Sequence, residues 1–439
     1  MRVVVVGGGL SGLFTASELL ARGIDDVVVV DEGSGPGGVV RTIERDGFTL
    51  ESAVGSLTLP HPHLTPILHR IGVEVVMADP SASLRHVFSG DRLLAIPASP
   101  AAILAPILPV RSKLRALAEP FVSSRHEAGD ETLDGFCRRR FGDKAGEMMA
   151  WLAASGVFAG DPSRLSARAA FPVLCHLEDD AGSVIRGGLR RRRERPARVD
   201  RGSAHLPVRG MSAVAQAVTH QLGERYRGGF EVRSVSRNRS SWAVDGSERL
   251  TADAVVISCR PDLAARLVHG DLASTLGRTA TAPVVVVGLG GTTHPYPLPA
   301  GFGALTGPDS ALVSLGMMFE SSYAPQRAPT GSWLVKVIAG GVRRPEVVEW
   351  DDQRLAEQVC AEVSRVVGHD LMPEFVEVVR HQPGIPQYEV GHGAWLRAID
   401  GLLSDLPGLH VTGWGYRGVG VSHLASDAVA VARRLAGVP

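Results

Sequence analysis

The stretch RVVVVGGGLSGLFTASELLARGIDDVVVVD, residues 2–31, decides the fold of this chain. Its two apolar, β-branched runs, RVVVV at 2–6 and DVVVV at 26–30, are typical of buried parallel strands. Between them, LFTASELLARG has helical periodicity and closes with Gly23. The pattern predicts strand, tight turn, helix and strand, with a G-x-G-x-x-G turn formed by Gly7, Gly9 and Gly12.

Each glycine of this turn has a physical task in holding a dinucleotide. Gly7 permits the turn, Gly9 lets the backbone approach a pyrophosphate, and Gly12 allows close packing of helix and strand. The helix N-terminus, at Leu10 and Ser11, offers free N–H groups and partial positive charge to the phosphates. At the end of the second strand, the carboxylates of Asp31 and Glu32 could accept hydrogen bonds from a ribose.

A second glycine pair follows, in GSGPGGVVRTIERDGFTLE, and this is more than a nicotinamide site requires. The backbone at Gly37 and Gly38 could approach the far half of a flavin dinucleotide. Arg41 could contact a phosphate or a flavin oxygen, although a surface salt bridge is the alternative interpretation of this arginine. The second pair therefore favours a flavin over a nicotinamide dinucleotide.

Composition excludes several other classes of protein. The 439 residues carry 46 basic and 46 acidic side chains, so no overall positive field exists to hold nucleic acid. Four scattered cysteines and the spacing of the histidines predict neither disulfides nor a metal site. The sequence predicts neither a secretory leader nor a membrane-spanning run of about 18 apolar residues. We therefore expect a cytoplasmic protein that could rest peripherally on the inner membrane.

At this point the sequence resembles the flavin amine oxidase superfamily, and within it the protoporphyrinogen/coproporphyrinogen oxidases. The opening motif is common to many flavoproteins, whereas other blocks are more selective for the narrower family. These blocks are RHVFSGDRLLAIPASP (85–100), SGVFAGDPSRLSARAAFPVL (155–174), GSVIRGGLRRRR (182–193), GFGALTGPD (301–309), LGMMFESSYAPQRAPTGSWLVKVIAGG (315–341), GIPQYEVGH (384–392) and LPGLHVTGWGYRGVGVSHLASDA (406–428).

The resemblance implies an FAD-dependent oxidase that converts a porphyrinogen to a porphyrin and passes the electrons to O2 or a quinone. It implies no catalytic nucleophile, no acid–base pair and no metal, because hydride transfer belongs to the cofactor. Beyond the opening residues named above, it adds cofactor contacts near the adenine and isoalloxazine ends of FAD. These are Val232 and Val235 at the adenine end, and Gly413, Gly418, Val419 and Gly420 beside the isoalloxazine.

For the substrate, the resemblance implies a slot that grips a large flat tetrapyrrole. Arg85 falls where many relatives keep an arginine for a substrate propionate, with a structural ion pair as the alternative. Leu305, Met318 and Ile338 match positions that line the slot, and ordinary core packing is the competing interpretation.

The sequence departs from the family pattern at three places near flavin and substrate. ESAVGSL (51–57) replaces an E-L-G-P-x-S-type block, Ile338 stands where some relatives have a large aromatic, and GWGYRGVGVSHLASDA (413–428) lacks the usual Asn-Ala and Asp-Cys pairs. An FAD-dependent amine oxidase acting on a secondary metabolite therefore stays open as an alternative. A binding protein without turnover and a nicotinamide dehydrogenase are further alternatives, the latter disfavoured by the single nucleotide fingerprint.

The predicted fold class is α/β plus α+β: a Rossmann-like FAD domain interleaved with a substrate domain of mixed sheet and helices. A run of arginines at 186–201 is interpreted as a solvated loop, with an anionic membrane surface or the substrate's propionates as alternatives. We expect FAD-domain segments at 1–78, 206–275 and 401–439, a helical, membrane-facing region at 79–205, and a substrate-domain sheet region at 276–400.

Overall fold

The computed structural model describes residues 1–97, 106–124, 129–194, 203–292 and 298–437. The strands are β1 (Val3–Val6), β2 (Val27–Asp31), β3 (Thr42–Arg45), β4 (Phe48–Glu51), β5 (Leu57–Leu59), β6 (Val75–Met77), β7 (Leu84–Ser89), β8 (Arg92–Pro97), β9 (Ser203–Pro207), β10 (Tyr226–Gly228), β11 (Ser234–Asn238), β12 (Ser241–Asp245), β13 (Arg249–Ala252), β14 (Ala254–Ile257), β15 (Thr281–Thr292), β16 (Gly303–Thr306), β17 (Ser314–Met318), β18 (Ser332–Gly340), β19 (Phe375–Pro386) and β20 (Leu409–Val411).

The α-helices are α1 (Leu10–Leu20), α2 (Leu64–Arg70), α3 (Val110–Leu117), α4 (Leu133–Phe141), α5 (Asp143–Phe158), α6 (Ala167–Ala170), α7 (Pro172–Ala181), α8 (Val184–Glu194), α9 (Ser212–Leu222), α10 (Pro261–Leu267), α11 (Gly270–Leu276), α12 (Glu320–Tyr323), α13 (Asp352–Val367), α14 (His392–Ser404) and α15 (Val421–Leu435). Over the described ranges, none of these helices is long and apolar enough to cross a membrane.

A parallel five-stranded sheet carries the opening motif, in the order β10-β2-β1-β14-β20. All four residues of β1 are buried, as are Val27–Val30 of β2, because both faces of the sheet are covered. Helices pack on one face, and helices together with the β-ribbon formed by β11, β12 and β13 pack on the other. The strands come from 3–31, 226–257 and 409–411, so the sheet joins the two chain ends with a middle segment. Helix α15 packs against α1, which brings the C-terminal helix beside the opening turn.

A second, seven-stranded sheet has the order β19-β15-β18-β17-β16-β7-β8. One face packs Val285, Val287 and Leu289 of β15 against α13 in a single core cluster. The hairpin β7–β8 joins this sheet from within the segment expected to be helical. Its turn residues Gly90 and Asp91 both have positive φ, which is the geometry that closes a two-residue hairpin.

The helical region differs from expectation at the arginine run. Upstream of it, the segment 133–158 forms two helices, α4 and α5, separated at Gly142, whose φ of 81° interrupts the helix. The arginine run was predicted to be a solvated loop, yet 186–194 belongs to α8, because arginine is a good helix former and Val184 anchors the helix in the core. Residues 195–201 of that run lie outside the described part of the chain.

Candidate functional site

In the glycine turn between β1 and α1, backbone atoms of different residues approach one another closely. Gly7 has φ +111°, a conformation that side-chain-bearing residues rarely adopt. A Cβ at Gly12 would lie 2.0 Å from the Gly7 carbonyl oxygen, whereas a Cβ at Gly9 would meet nothing closer than 4.0 Å. The turn therefore needs Gly12 for packing and leaves open space beside Gly9, at the N-terminus of α1 where Leu10 and the buried Ser11 begin the helix.

The end of β2 holds Asp31 in a network of backbone donors. Its carboxylate accepts hydrogen bonds from the N–H groups of Gly8 and Gly33. Asp31, the exposed Glu32 and Val232 line a cavity of about 310 Å³ together with Phe230 and Arg233. Val235 does not reach this cavity: it is buried in the core between the β-ribbon and the parallel sheet.

The second glycine pair lies directly against the first motif. The Gly37 N–H donates to the Gly8 carbonyl at 2.8 Å, and Gly9 and Gly37 form an isolated parallel bridge. Gly37 and Gly38 have φ of +110° and +61°, and a Cβ on Gly38 would sit 3.5 Å from the Gly9 Cα. Arg41 is exposed, so its guanidinium is free to approach a bound group.

The loop 413–420 completes the same end of the parallel sheet. A Cβ on Gly413, which has φ +124°, would lie 3.4 Å from the Ser11 hydroxyl oxygen. The Tyr388 hydroxyl donates to the Trp414 carbonyl at 2.5 Å and accepts from the Gly418 N–H at 2.8 Å, which holds the loop from the other side. Val419 packs beside Tyr388 in the helical core, and Gly420 is the N-cap of α15.

This arrangement fits an FAD molecule. The opening turn, the second glycine pair and the loop 413–420 lie within a few ångströms of one another at the carboxyl ends of β1, β14 and β20. Positions where a Cβ would collide with backbone, such as Gly12, alternate with positions that face open space, such as Gly9. Two helix N-termini, those of α1 and α15, begin in this region. The cavity beside Asp31 is also lined by Val6 and Gly7 of the opening strand and turn.

Three expected substrate positions lie on one face of the seven-stranded sheet. Leu305 pairs with Gly316, and Gly316 pairs with Ile338, so these residues form one row across β16, β17 and β18. Met318 is two residues from Gly316 and therefore shares this face. All three side chains are partly exposed, and Leu305 approaches Gly156 of α5. They form an apolar wall opposite the face that α13 covers.

Arg85 lies at the edge of this wall. Its Cα partner is Gly303, which in turn pairs with Met318. The exposed Arg85 guanidinium lies 5.5 Å from the centroid of the Phe302 ring, in a cation–π contact, and has no carboxylate partner among the described residues. The arginine is therefore oriented by an aromatic ring while its N–H donors remain available.

A group of four charged side chains is fully buried beneath the segment that follows β4. Lys336 of β18 and Arg327 lie beside the carboxylates of Glu51 and Glu320. Burial lowers the pKa of the Lys336 amine, although the Glu320 charge opposes this effect. Burial alone would raise the pKa of Glu320, but Arg327 and Lys336 hold it below its ordinary value. For Glu51, burial outweighs these cations and raises the pKa.

Sequence reasoning missed the residues that hold the loops in place. Tyr388 lay within a block quoted as selective, yet no local pattern indicated that its hydroxyl bridges Trp414 and Gly418. Asp427 was also missed, although its carboxylate accepts from the Thr412 hydroxyl at 2.6 Å and the Gly413 N–H at 3.3 Å. The only available signal was the polarity of Asp427 on the buried face of an amphipathic helix.

Comparisons with known proteins agree with this geometry. The sequence pattern of the family described as flavin containing amine oxidoreductase matches residues 10–434. The chloroplastic protoporphyrinogen oxidase of Oryza sativa is 30% identical over 91% of this chain and 81% of its own length. The coproporphyrinogen III oxidase of Bacillus subtilis is 24% identical over 95% of this chain and 94% of its own.

Solved structures share the fold across nearly the whole chain. A crystal structure of a candidate protoporphyrinogen oxidase from Exiguobacterium superposes with a TM-score of 0.83 at 21% identity, covering 99% of this chain and 98% of that one. A putrescine oxidase with bound putrescine superposes with a TM-score of 0.74 at 15% identity, covering 99% of each chain. The protein belongs to the flavin containing amine oxidoreductase family and is an FAD-dependent oxidoreductase.

Proposed function

We propose that this enzyme oxidises a porphyrinogen, coproporphyrinogen III or protoporphyrinogen IX, to the corresponding porphyrin. The observation that carries the proposal is the apolar row of Leu305, Met318 and Ile338 on one sheet face, with Arg85 at its edge. A flat tetrapyrrole with carboxylate arms requires this combination of an apolar wall and a peripheral guanidinium. The names of the relatives given above support the same substrate class.

The proposed cofactor contacts lie in what we call the cofactor cradle, formed by the opening turn, the second glycine pair and the loop 413–420. Gly9 and the N–H groups of Leu10 and Ser11 would face the pyrophosphate, with Gly7 and Gly12 shaping the turn. Asp31 would exchange its contact with Gly8 or Gly33 for a ribose hydroxyl, while Glu32 and Val232 border the adenosine. Further along, the flavin half would meet Gly37, Gly38, Arg41, Gly413, Gly418, Val419 and Gly420. Val235 supports the β-ribbon from the core.

When bound, FAD would supply the redox chemistry of the reaction, with O2 or a quinone as the final electron acceptor. The chain's own residues orient and shield the substrate. Leu305, Met318 and Ile338 press an apolar surface against the macrocycle and exclude water from it. The start of α15 would direct the partial positive charge of its N-terminus toward the flavin half of a bound FAD, where it would stabilise negative charge. No side chain is required to act as a nucleophile.

The decisive experiment mixes the purified yellow protein anaerobically with each porphyrinogen and follows flavin absorbance. We expect rapid bleaching by at least one of them, and porphyrin fluorescence after air is readmitted. The faster of the two identifies the preferred substrate. Bound FAD that neither porphyrinogen reduces would overturn the proposal and make amine or secondary-metabolite oxidation the next hypothesis to test.

The role of Arg85 is tested by Arg85→Leu. Because a charge-assisted contact to a propionate contributes about 1.5–3 kcal/mol, we expect KM to rise by about tenfold or more with kcat less affected. Arg92, exposed on the other strand of the same hairpin, provides the matched control as Arg92→Leu. Equal KM values for the two variants would contradict the proposed contact between Arg85 and the substrate.

We also propose that the enzyme touches an anionic membrane surface. Val110, Leu114 and Leu117 occupy one face of α3 and are all exposed, and the nearby Phe121 is 85% exposed. Arg186 of α8 lies 6.0 Å from the Phe121 ring, so the surface combines apolar and basic groups. Such a combination binds anionic lipid headgroups while inserting apolar side chains at the interface.

This contact is tested by sedimentation with vesicles. We expect the protein to bind vesicles that contain phosphatidylglycerol and to bind pure phosphatidylcholine several-fold less. Phe121→Ser combined with Leu114→Ser should reduce binding, whereas Met372→Ser, at a side chain 80% exposed in the loop between α13 and β19, should not. Equal sedimentation of all three proteins with anionic vesicles would contradict the proposal.

A further inference from the structure

The segment 51–55 is held by side chains that come from β18, β19 and the connection between α12 and β18. The Lys336 amino group donates to the Glu51 carbonyl at 3.1 Å and to the Ala53 carbonyl at 2.6 Å. The His381 ring contacts the Ser52 carbonyl at 2.8 Å through Nε2, which must carry the proton because a carbonyl only accepts. Arg327 donates to the Gly55 carbonyl. We call Lys336, His381 and Arg327 the carbonyl clamp.

The clamped segment is directly connected to the second cofactor motif. The Ser52 N–H donates to the Arg41 carbonyl at 2.8 Å, and its hydroxyl donates to the Val39 carbonyl at 2.7 Å. The Arg41 N–H returns a hydrogen bond to the Ser52 hydroxyl at 2.9 Å. Displacement of 51–55 would therefore shift the backbone that follows Gly37 and Gly38.

The clamp is also connected to the sheet face that carries Leu305, Met318 and Ile338, which we call the substrate face. Lys336 is two residues from Ile338 on β18 and pairs with Met318, so its side chain rises from the same sheet face as the apolar row. One fully buried side chain thus connects the face proposed to hold the substrate with the segment beside the cofactor cradle. Gly55 makes room for it: a Cβ there would lie 3.1 Å from Arg327 Nη1 and 3.4 Å from Lys336 Nζ.

The choice of lysine is unusual for this chain. Only three of its 46 basic residues are lysines, Lys113, Lys144 and Lys336, and the rest are arginines. Lys144 is exposed, whereas Lys336 is fully buried in the charged cluster. A compact amino group can donate to two neighbouring carbonyls in a space too small for a guanidinium, and burying it is costly unless those bonds are made.

We propose that Lys336 is a positioning residue that, with His381 and Arg327, fixes segment 51–55 so that the substrate face and the flavin keep one alignment during hydride transfer. The inference rests on the proposed function for the substrate it serves. It adds a specific task for a buried lysine that makes no contact with the reacting atoms. A misplacement of about 1 Å at a reacting centre can reduce a rate about a hundredfold. The gain in rate from correct alignment can therefore outweigh the loss of stability from burying a charged lysine.

The test compares Lys336→Met and Gly55→Ala with the exposed control Lys144→Met. Hydrogen exchange followed by mass spectrometry should show amides of 52–57 exchanging about tenfold faster in the first two variants, with the strands of the five-stranded sheet unchanged. The visible circular dichroism of bound FAD should change in the same two. With substrate, kcat should fall about tenfold while KM changes little, and Lys144→Met should match the wild type.

Each result decides between positioning and other roles. Unchanged exchange at 52–57 in both variants would overturn the clamp, and so would faster local exchange without any change in flavin dichroism or kcat. If Lys336→Met yields no folded protein, Gly55→Ala decides alone, because it disturbs the clamp while keeping every charge. If the wild-type flavin is not reduced by either porphyrinogen, the proposed function fails, whereas exchange and dichroism still test the clamp.

Discussion

The proposed cofactor cradle and the proposed substrate face differ in which atoms form them. The cradle is backbone: Gly7, Gly12 and Gly37 bring main-chain atoms together at distances that no side chain would permit. The substrate face is made of side chains whose position depends on strand register, as in the pairing of Met318 with Lys336. Backbone sites fail abruptly when one atom is added, whereas side-chain walls lose affinity in proportion to what is removed.

The largest effect should come from Gly12→Val. Its Cβ would stand 2.0 Å from the Gly7 carbonyl oxygen and 2.5 Å from the Ser258 hydroxyl, so the turn cannot form as it stands. We expect a purified protein without visible flavin absorbance. Gly188→Ala in α8 is the control, because a Cβ there meets nothing within 4 Å, and it should retain FAD with equal or slightly higher stability. A fully yellow Gly12→Val protein would refute the comparison.

A graded loss is expected from Leu305→Ala. FAD content should stay the same, while kcat/KM for the porphyrinogen should fall about tenfold through lost apolar contact. Leu289→Ala, on the opposite and fully buried face of the same sheet, is the contrasting variant. It should reduce the free energy of unfolding by about 2–5 kcal/mol and leave kcat/KM of the folded enzyme unchanged. Reversed outcomes would mean that the wrong sheet face has been assigned to the substrate.

A smaller effect is expected from Tyr388→Phe. The change removes the hydroxyl that bridges the Trp414 carbonyl and the Gly418 N–H, at a cost of about 1–3 kcal/mol. We expect FAD to be retained and to be released at a lower temperature, as measured by flavin fluorescence during heating. Tyr226→Phe should release FAD as the wild type does, because the buried Tyr226 hydroxyl finds no hydrogen-bond partner among the described residues.

The smallest effect concerns acid stability of the cofactor sheet. Burial and, secondarily, Arg434 lower the pKa of His410 on β20 from 6.5 to about 4. Between these values the unfolded chain binds a proton that the folded chain excludes, so stability decreases as pH falls from 6.5 to about 4. His410→Gln should weaken this decrease in urea titrations at several pH values. The exposed His220 is the control, as His220→Gln, and an identical pH slope in wild type and His410→Gln would contradict the assignment.

The difference between a local backbone turn and contacts between distant side chains also explains what the sequence could predict. Gly7, Gly9 and Gly12 are close in sequence and their spacing alone indicates a turn, so the strand–turn–helix–strand unit was predicted correctly. Lys336 contacts Glu51 across 285 residues of chain, and no local pattern indicates that register. Side chains alternate between the two faces of β11, and this alternation turns Val235 toward the core and away from the cavity. The sequence did not indicate where β11 begins, so it could not predict which face Val235 occupies.

Arg85 and the arginine run give the opposite lesson. Family resemblance led to Arg85, and the structure gives it an aromatic neighbour, Phe302, that no charge argument would have suggested. The arginine run was interpreted from its charge alone, although Val184, Ile185 and Leu189 supply helical spacing through 184–194. The charge of a segment indicates the environment in which it lies, whereas the spacing of its apolar residues indicates its secondary structure.

The five-stranded sheet has a consequence for how the enzyme is made. Its strands are synthesised in the order β1, β2, β10, β14 and β20, and the last of them begins only at Leu409. A ribosome-bound chain that stops before this point has the opening turn but lacks one edge of the sheet, the loop at Gly413 and the start of α15. The nascent protein can therefore complete the proposed cofactor site only after β20 and the start of α15 have been translated, and cofactor loading would report that both have been made.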